Sequence, residues 1–213
     1  MNILYEDNEL TVAVKPTELL SEQSPDKSGF ADLLATRNQN GYIGVIHRLD
    51  RGVGGVMVYA RTPVAAARLS EAVRDHTLKK EYLAIVHGVP NEKSGRLCDL
   101  LFHDRFKNKT FVVDRSRRGV KEAILDYEVQ KSIEHPSLGM LSLIRIKLLT
   151  GRTHQIRVQF SSRGYPLLGD RKYGAPSHAP IGLFSCRLTL PHPKTHLEMT
   201  FEAEPIDEIW TAF

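Results

Sequence analysis

Cysteine is scarce in this sequence, and the scarcity excludes two classes of protein. Only Cys98 and Cys186 occur, outside any CxxC spacing. A disulfide framework and a structural zinc site are both without ligands, and reduced thiols in a cytoplasmic protein are expected. Long apolar runs are equally absent: no stretch approaches the ~20 residues that a membrane-spanning helix needs. The N-terminal "MNILYEDNELTVAVKP" has neither the basic region nor the apolar core of a secretion signal. There is no Walker A loop and no GxGxxG after a strand, so the common nucleotide-binding loops are missing. Ser70 has no local base, which leaves a serine hydrolase without support. His103 and Asp104 could ligate a metal, but no cluster at ligand spacing joins them, and no metal is expected.

What is present fits one domain covering 1–213. Hydrophobic residues make up 41% and charged residues 25% of the chain, proportions that allow a sizeable core. The formal net charge of +4 is a mild basic bias, compatible with a polyanionic partner but equally with a solvated surface.

Patterning gives the architecture. Leu10, Val12 and Val14 alternate with Thr11 and Ala13, and together with residues 3–5 they predict a hairpin closed by Asp7 and Asn8. Residues 16–29 read as loop, 31–37 as a short helix, and 45–49 and 56–60 as strands. Thr62 and Pro63 mark a helix start, followed by Ala65, Leu69, Ala72 and Val73 at helical spacing. "EYLAIVHGV", "EAILDYEV", "MLSLIRIKLL", "GLFSCRLTL" and "HLEMTFEA" read as strands, and "THQIRVQFSSRG" as a short helix ended by Gly164. Strands with interspersed but not alternating helices argue an α+β fold with a mixed, mostly antiparallel sheet.

Two stretches carry chemistry. In "VIHRLDRGVGGVMV", His47, Arg48 and Asp50 interrupt an apolar frame beside Gly52, Gly54 and Gly55. This pattern fits a tight hairpin with a surface ion pair, or a loop where a ligand approaches the backbone and a part-buried carboxylate needs a partner. In "LLTGRTHQIRVQFSSRGYPLLGDRKYG", Arg152, His154, Arg157, Arg163, Arg171 and Lys172 gather between glycines. The alternatives there are a solvated basic helix face and a shaped anion site, with residues 150–153 aiming backbone N–H groups outward at a helix start. His135, His178, His192 and His196 read as surface residues, and Tyr82 as a half-buried strand tyrosine.

Taken together, "HRLD", "KKEYLAIVHG", "LLTGRTHQIRV" and "GYPLLGDRKYG", with "ILYEDNELTVAVKP" before them and "CRLTLPHP" and "LEMTFEAEP" after, resemble the RluA-type pseudouridine synthase family over nearly the whole chain. The resemblance implies isomerisation of uridine to pseudouridine in RNA, with no cofactor and no metal, on an α+β sheet split by a central basic cleft. It implies Asp50 as the catalytic aspartate, with Tyr82 and Arg152 beside it. Tyr82 would offer a flat face to the flipped base, and Arg152 would keep the carboxylate ionised. Substrate contacts are expected from His47, Arg48, Gly55, His154, Arg157, Arg171 and Lys172, with Arg163 among the phosphate-holding cations.

Two departures bear on substrate detail. Val53-Gly54-Gly55 stands where the family usually has Thr-Ser-Gly, and Gln159 stands where the helix often carries a histidine. The expected partner is an rRNA or tRNA stem-loop, bound by a monomer without the S4-like domain many family members carry. A catalytically silent RNA-binding protein of the same fold, and a metal-assisted RNA hydrolase using His47 and His103, are the competing readings.

Overall fold

The computed structural model describes residues 1–25 and 28–213. The first strands are β1 (Asn2–Glu6), β2 (Leu10–Lys15), β3 (Gly44–Val45) and β4 (Gly54–Ala60), with helices α1 (Phe30–Ala35) and α2 (Pro63–Arg74). Next come β5 (Lys79–His87), β6 (Ser94–Asp104), β7 (Lys109–Val113), β8 (Val120–His135), β9 (Gly139–Leu148) and helix α3 (Gln155–Ser161). After a 3₁₀ turn at Arg171–Tyr173 the chain ends with β10 (Leu183–Pro191), β11 (Glu198–Glu202) and α4 (Glu208–Thr211).

These elements form two compact units. The first comprises Met1–Lys80 and Phe184–Pro205, the second Glu81–Leu183 and Ile206–Phe213. In the first unit the strand order is β1-β2-β4-β10, with β3 also on β4 and β11 on β10. Its pairs are antiparallel except β4 with β10, which is parallel. Every residue of β4 is buried, as a strand covered on both faces requires, and so its apolar run does not alternate. Ala65, Leu69 and Ala72 of α2 close the core over Leu10, Val12, Val56, Val58, Leu188 and Leu190. Thr62 caps that helix by accepting from the Ala65 N–H, with Pro63 in the first turn where no donor is lost.

In the second unit the order is β5-β9-β8-β6-β7, and the β6–β7, β6–β8 and β8–β9 pairs are antiparallel. Leu101, Ala123, Val158 and Tyr173 form one cluster. Ile85, Leu141 and Leu168 form another, covered by Trp210 and Phe213. The α+β expectation holds: a mixed, mostly antiparallel sheet with few helices.

The expected N-terminal hairpin is present, closed by the Asp7 carboxylate, which accepts from the backbone N–H groups of Glu9 and Leu10 at 2.8 and 2.9 Å. Residues 16–29 are free of helix and strand apart from positions 26 and 27, which lie outside the described residues. The strand expected over 45–49 stops at Val45, and the physical reason is His47. Its Nε2 accepts from the Val58 N–H of β4 at 3.3 Å, so a side chain takes the bond a neighbouring strand would make, and the chain peels away. Strands β6 and β7 escaped the sequence reading because Leu97, Leu100, Leu101 and Phe102 do not alternate with polar residues. "EAILDYEV" is the middle of a longer strand whose length is set by pairing with β6 and β9.

Candidate functional site

In the first unit the residues around Asp50 form a braced turn. The Val53 N–H donates to the Asp50 carbonyl at 2.9 Å, so the backbone closes the turn where the family pattern has hydroxyls. Ser21 clamps the preceding residue from both sides, with its Oγ donating to the Leu49 carbonyl and accepting from the Leu49 N–H at 2.8 and 2.9 Å. Tyr59, fully buried, donates to the Ser21 carbonyl at 2.9 Å.

Beneath the turn lies Lys15, completely buried. Its ammonium donates to the carbonyls of Pro16 and Leu19 at 2.8 Å and of Arg51 at 3.3 Å. Burial pushes the Lys15 pKa down to about 8, while the negative charges of Glu18, Asp50 and Glu22 pull it back up. A buried cation with three carbonyl partners thus fixes the main chain that presents the half-buried Asp50 carboxylate. Arg48, in contrast, is exposed and paired with Glu22 at 3.3 Å, a contact an RNA phosphate could replace at little cost.

Two expected substrate contacts in this unit are corrected by the structure. Gly55 is buried in β4 with φ +128°, and a Cβ there would collide with the backbone of Ser185. The glycine serves the parallel approach of β10 to β4, not the approach of RNA. His47 is also buried. Burial first, and the Lys80 cation second, push its pKa down to about 3, so it stays neutral and accepts from the β4 backbone.

A pH prediction follows for His47. Between pH 6.5 and 3 the unfolded chain binds a proton that the folded chain refuses. Its contribution to stability is full above pH 6.5 and is lost as pH falls toward 3. In urea unfolding, the midpoint of the wild type should fall more steeply over that window than that of His47→Gln. Parallel curves would assign the acid limb to other groups.

In the second unit Tyr82 lies on β5, 5% exposed, more enclosed than a half-buried strand tyrosine. Arg152 precedes α3 and is partly exposed, its Nε donating to the Glu122 carbonyl at 2.8 Å. The outward anion site expected at residues 150–153 is not formed. The Arg152 N–H and the Thr150 hydroxyl both donate to the Gln155 side-chain oxygen, at 3.0 and 2.9 Å. His154 caps α3 in the left-handed region at φ 55°. Its Nδ1 lies 2.9 Å from the Tyr173 hydroxyl, which also accepts from the Thr110 N–H at 2.8 Å.

Arg157 requires the largest correction. It is buried, and Nε and Nη2 meet the two carboxylate oxygens of buried Asp170 at 2.6 and 2.8 Å. Its guanidinium also lies 5.1 Å from the Tyr173 ring centre. This is an internal bidentate pair, not a solvent-facing hold on phosphate. Arg163 is likewise engaged, bidentate with Asp99 at 2.9 and 3.1 Å. Arg171 and Lys172 are exposed as expected, with the Lys172 ammonium 3.0 Å from the Asn108 carbonyl. His192 is buried against Asp7 at 2.8 Å rather than on the surface.

The sequence reading passed over three residues: Lys15, Ser21 and Asp170. Lys15 had a signal, since a lysine closing a run of buried strand residues before proline is out of place unless its charge is satisfied. Asp170 had one too, as the lone carboxylate between Leu167-Leu168 and Arg171-Lys172. Ser21 had none.

The chain matches the RNA pseudouridylate synthase family over residues 9–162. It is 34% identical over 207 residues to the dual-specificity RNA pseudouridine synthase RluA of Escherichia coli, covering 94% of this chain and 91% of that one. To ribosomal large subunit pseudouridine synthase D of Vibrio cholerae it is 32% identical over 232 residues, covering 98% and 68%. It spans 54% of the corresponding synthase C of Buchnera aphidicola. Among solved structures, human RNA pseudouridylate synthase domain containing 4 superposes with a TM-score of 0.78 at 24% identity, covering 99% of this chain and 90% of that one. That last likeness concerns the fold. The chain therefore belongs to the RNA pseudouridylate synthase family and is an RNA pseudouridine synthase of the RluA type.

Proposed function

We propose that this enzyme converts particular uridines in folded rRNA or tRNA, acting as a cytoplasmic monomer with Asp50 as the essential carboxylate. The observation that carries the reading is the Asp50 turn itself, braced by Ser21 and by the buried ammonium of Lys15. Bracing of this kind serves a side chain that must be held in place while its substrate changes shape.

The target uridine leaves its stack at a cost of a few kcal/mol. The N1–C1′ bond breaks, the base turns over, and a C5–C1′ bond forms. The C5 hydrogen departs to water and N1 gains a proton. No electrons are exchanged, so the chemistry calls for no redox cofactor. The Asp50 carboxylate either attacks C1′ or removes a sugar proton, and both routes require it ionised. Tyr82 is assigned to the base by its motif. Arg48, exposed beside the turn, props the vacated stack or its phosphate, and Arg171 and Lys172 hold flanking phosphates.

The cation that keeps Asp50 ionised is assigned by its motif to Arg152. Losing the cation raises the carboxyl pKa, so the acid limb of the activity profile moves to higher pH in Arg152→Gln. An unmoved limb in Arg152→Gln would take the role away from Arg152.

The reading is tested by mapping pseudouridine in total rRNA and tRNA from cells with and without this protein. One or a few positions should lose the modification and regain it when purified wild type is added to the RNA. Identical maps would overturn it.

A further inference from the structure

Tyr173, the last residue of the 3₁₀ turn in the second unit, is buried and fixed from several sides. Its carbonyl accepts from the Ser161 hydroxyl of α3 at 2.6 Å, and its N–H donates to the Asp170 carbonyl at 3.0 Å. The cations of Lys109 and Arg157 lie 5.4 and 5.1 Å from its ring centre, within the range of a cation–π contact. Arg157 is itself locked to Asp170, so the buried pair is also the seat of this ring.

The bracing fixes one hydroxyl, and its hydrogen bonds can be accounted for. The oxygen accepts from the Thr110 N–H at 2.8 Å. Burial raises the phenol pKa above its ordinary value, so the group keeps its proton at neutral pH and must place it. The Thr110 hydroxyl is committed elsewhere, donating to the Thr153 carbonyl at 2.8 Å and facing His103 Nδ1 at 3.1 Å. Among the described residues, the acceptor left within reach is His154 Nδ1 at 2.9 Å. A ring nitrogen that accepts carries no proton, so the bond network assigns His154 the tautomer with its proton on Nε2.

His154 is unusual in two further ways. It stands at the start of α3 yet makes no side-chain cap, and its backbone lies in the left-handed region at φ 55°, where a residue with a Cβ is uncommon. Such a conformation persists where the surroundings over-determine it. Nδ1 is held against a buried hydroxyl while the residue is partly exposed, so the outer edge of the ring carries the Nε2–H.

We infer that Tyr173 is a positioning residue for RNA: its hydroxyl holds His154 as a neutral imidazole whose Nε2–H donates to an oxygen of the bound RNA. The inference rests on the reading that sets His154 against the substrate, and it adds the residue that orients it.

The first measurement is nitrogen NMR of the full chain carrying isotope-labelled histidine, with the His154 signals identified by their loss in His154→Gln. The proton should be on Nε2. Tyr173→Phe keeps the ring and removes the hydroxyl, and should shift the Nδ1 signal toward that of an unbonded imidazole nitrogen. A proton on Nδ1 in the wild type would overturn the inference, as would an Nδ1 signal that Tyr173→Phe leaves in place.

The second measurement is affinity for total rRNA and tRNA from cells lacking this protein. Tyr173→Phe and His154→Ala should each weaken it about tenfold, the effect of one well-placed hydrogen bond, while kcat at saturating RNA falls by less than about threefold. His154→Gln carries an amide N–H near the place of Nε2 and should recover part of the loss seen with alanine. In that background Tyr173→Phe should cost less than about twofold, because a glutamine has no tautomer to fix. Equal losses in the two backgrounds would overturn the inference, leaving the hydroxyl a purely structural duty through Thr110. Tyr165→Phe, whose hydroxyl donates to Asn91 at the surface, is the control and should change neither measurement. The NMR signal and the affinity need no turnover. A wild type that forms no pseudouridine in any RNA would therefore overturn the isomerase reading, and Tyr173 would still stand or fall on these two results.

Discussion

Replacing Asp50 with asparagine is expected to lower pseudouridine formation by on the order of 10³-fold or more, while RNA affinity stays within about threefold of wild type. The substitution is nearly isosteric, and the main-chain bonds that hold the turn do not pass through the carboxylate. Ser21 grips Leu49, Val53 donates to the Asp50 carbonyl, and Lys15 reaches the carbonyl of Arg51. The loss should therefore appear in kcat at saturating RNA. A large drop in affinity instead would make Asp50 a binding residue. Unaltered turnover would support the silent RNA-binding protein.

The second large effect is on stability. Arg157→Ala should destabilise the fold by about 3–5 kcal/mol, because it leaves the Asp170 carboxylate buried without its bidentate partner. Arg171→Ala, one residue beyond Asp170 but exposed, should stay within about 0.5 kcal/mol of wild type. Urea unfolding reads both. The double variant Arg157→Met/Asp170→Asn should recover part of the loss, since it removes the charge that the single variant strands. A single variant as stable as wild type would mean that the pair contributes nothing to the fold.

The contrast between Arg157 and Arg171 also marks where the sequence stopped being informative. Both arginines occur in basic, glycine-bracketed motifs, and spacing alone treats them alike. What separates them is one carboxylate 13 residues from Arg157 that the fold folds back onto it. Long-range pairing of this kind has no local periodicity to betray it.

The same holds at His47 and Gly55. Their chemistry was visible as an interruption in an apolar frame, but their roles belong to β4 and β10, whose approach is a tertiary event. Local signals fared better. The capped start of α2 and the Asp7-closed hairpin were legible because each depends on neighbours within four residues. The hairpin of β6 and β7 was not, since its pattern answers to α3 and β8 packing against it. The motif order carried the family assignment and the duties proposed for Tyr82 and Arg152, while the pairings of Lys15, His47 and Arg157 came only from geometry.

The most direct test of the central claim is release of tritium to water from RNA labelled at uridine C5, because forming the C5–C1′ bond must expel that hydrogen. The substrate is total rRNA and tRNA from cells lacking this protein, with EDTA present, comparing wild type with Asp50→Asn. The account predicts stoichiometric release by the wild type alone. Equal release by both proteins would contradict it, placing the chemistry on a residue other than Asp50.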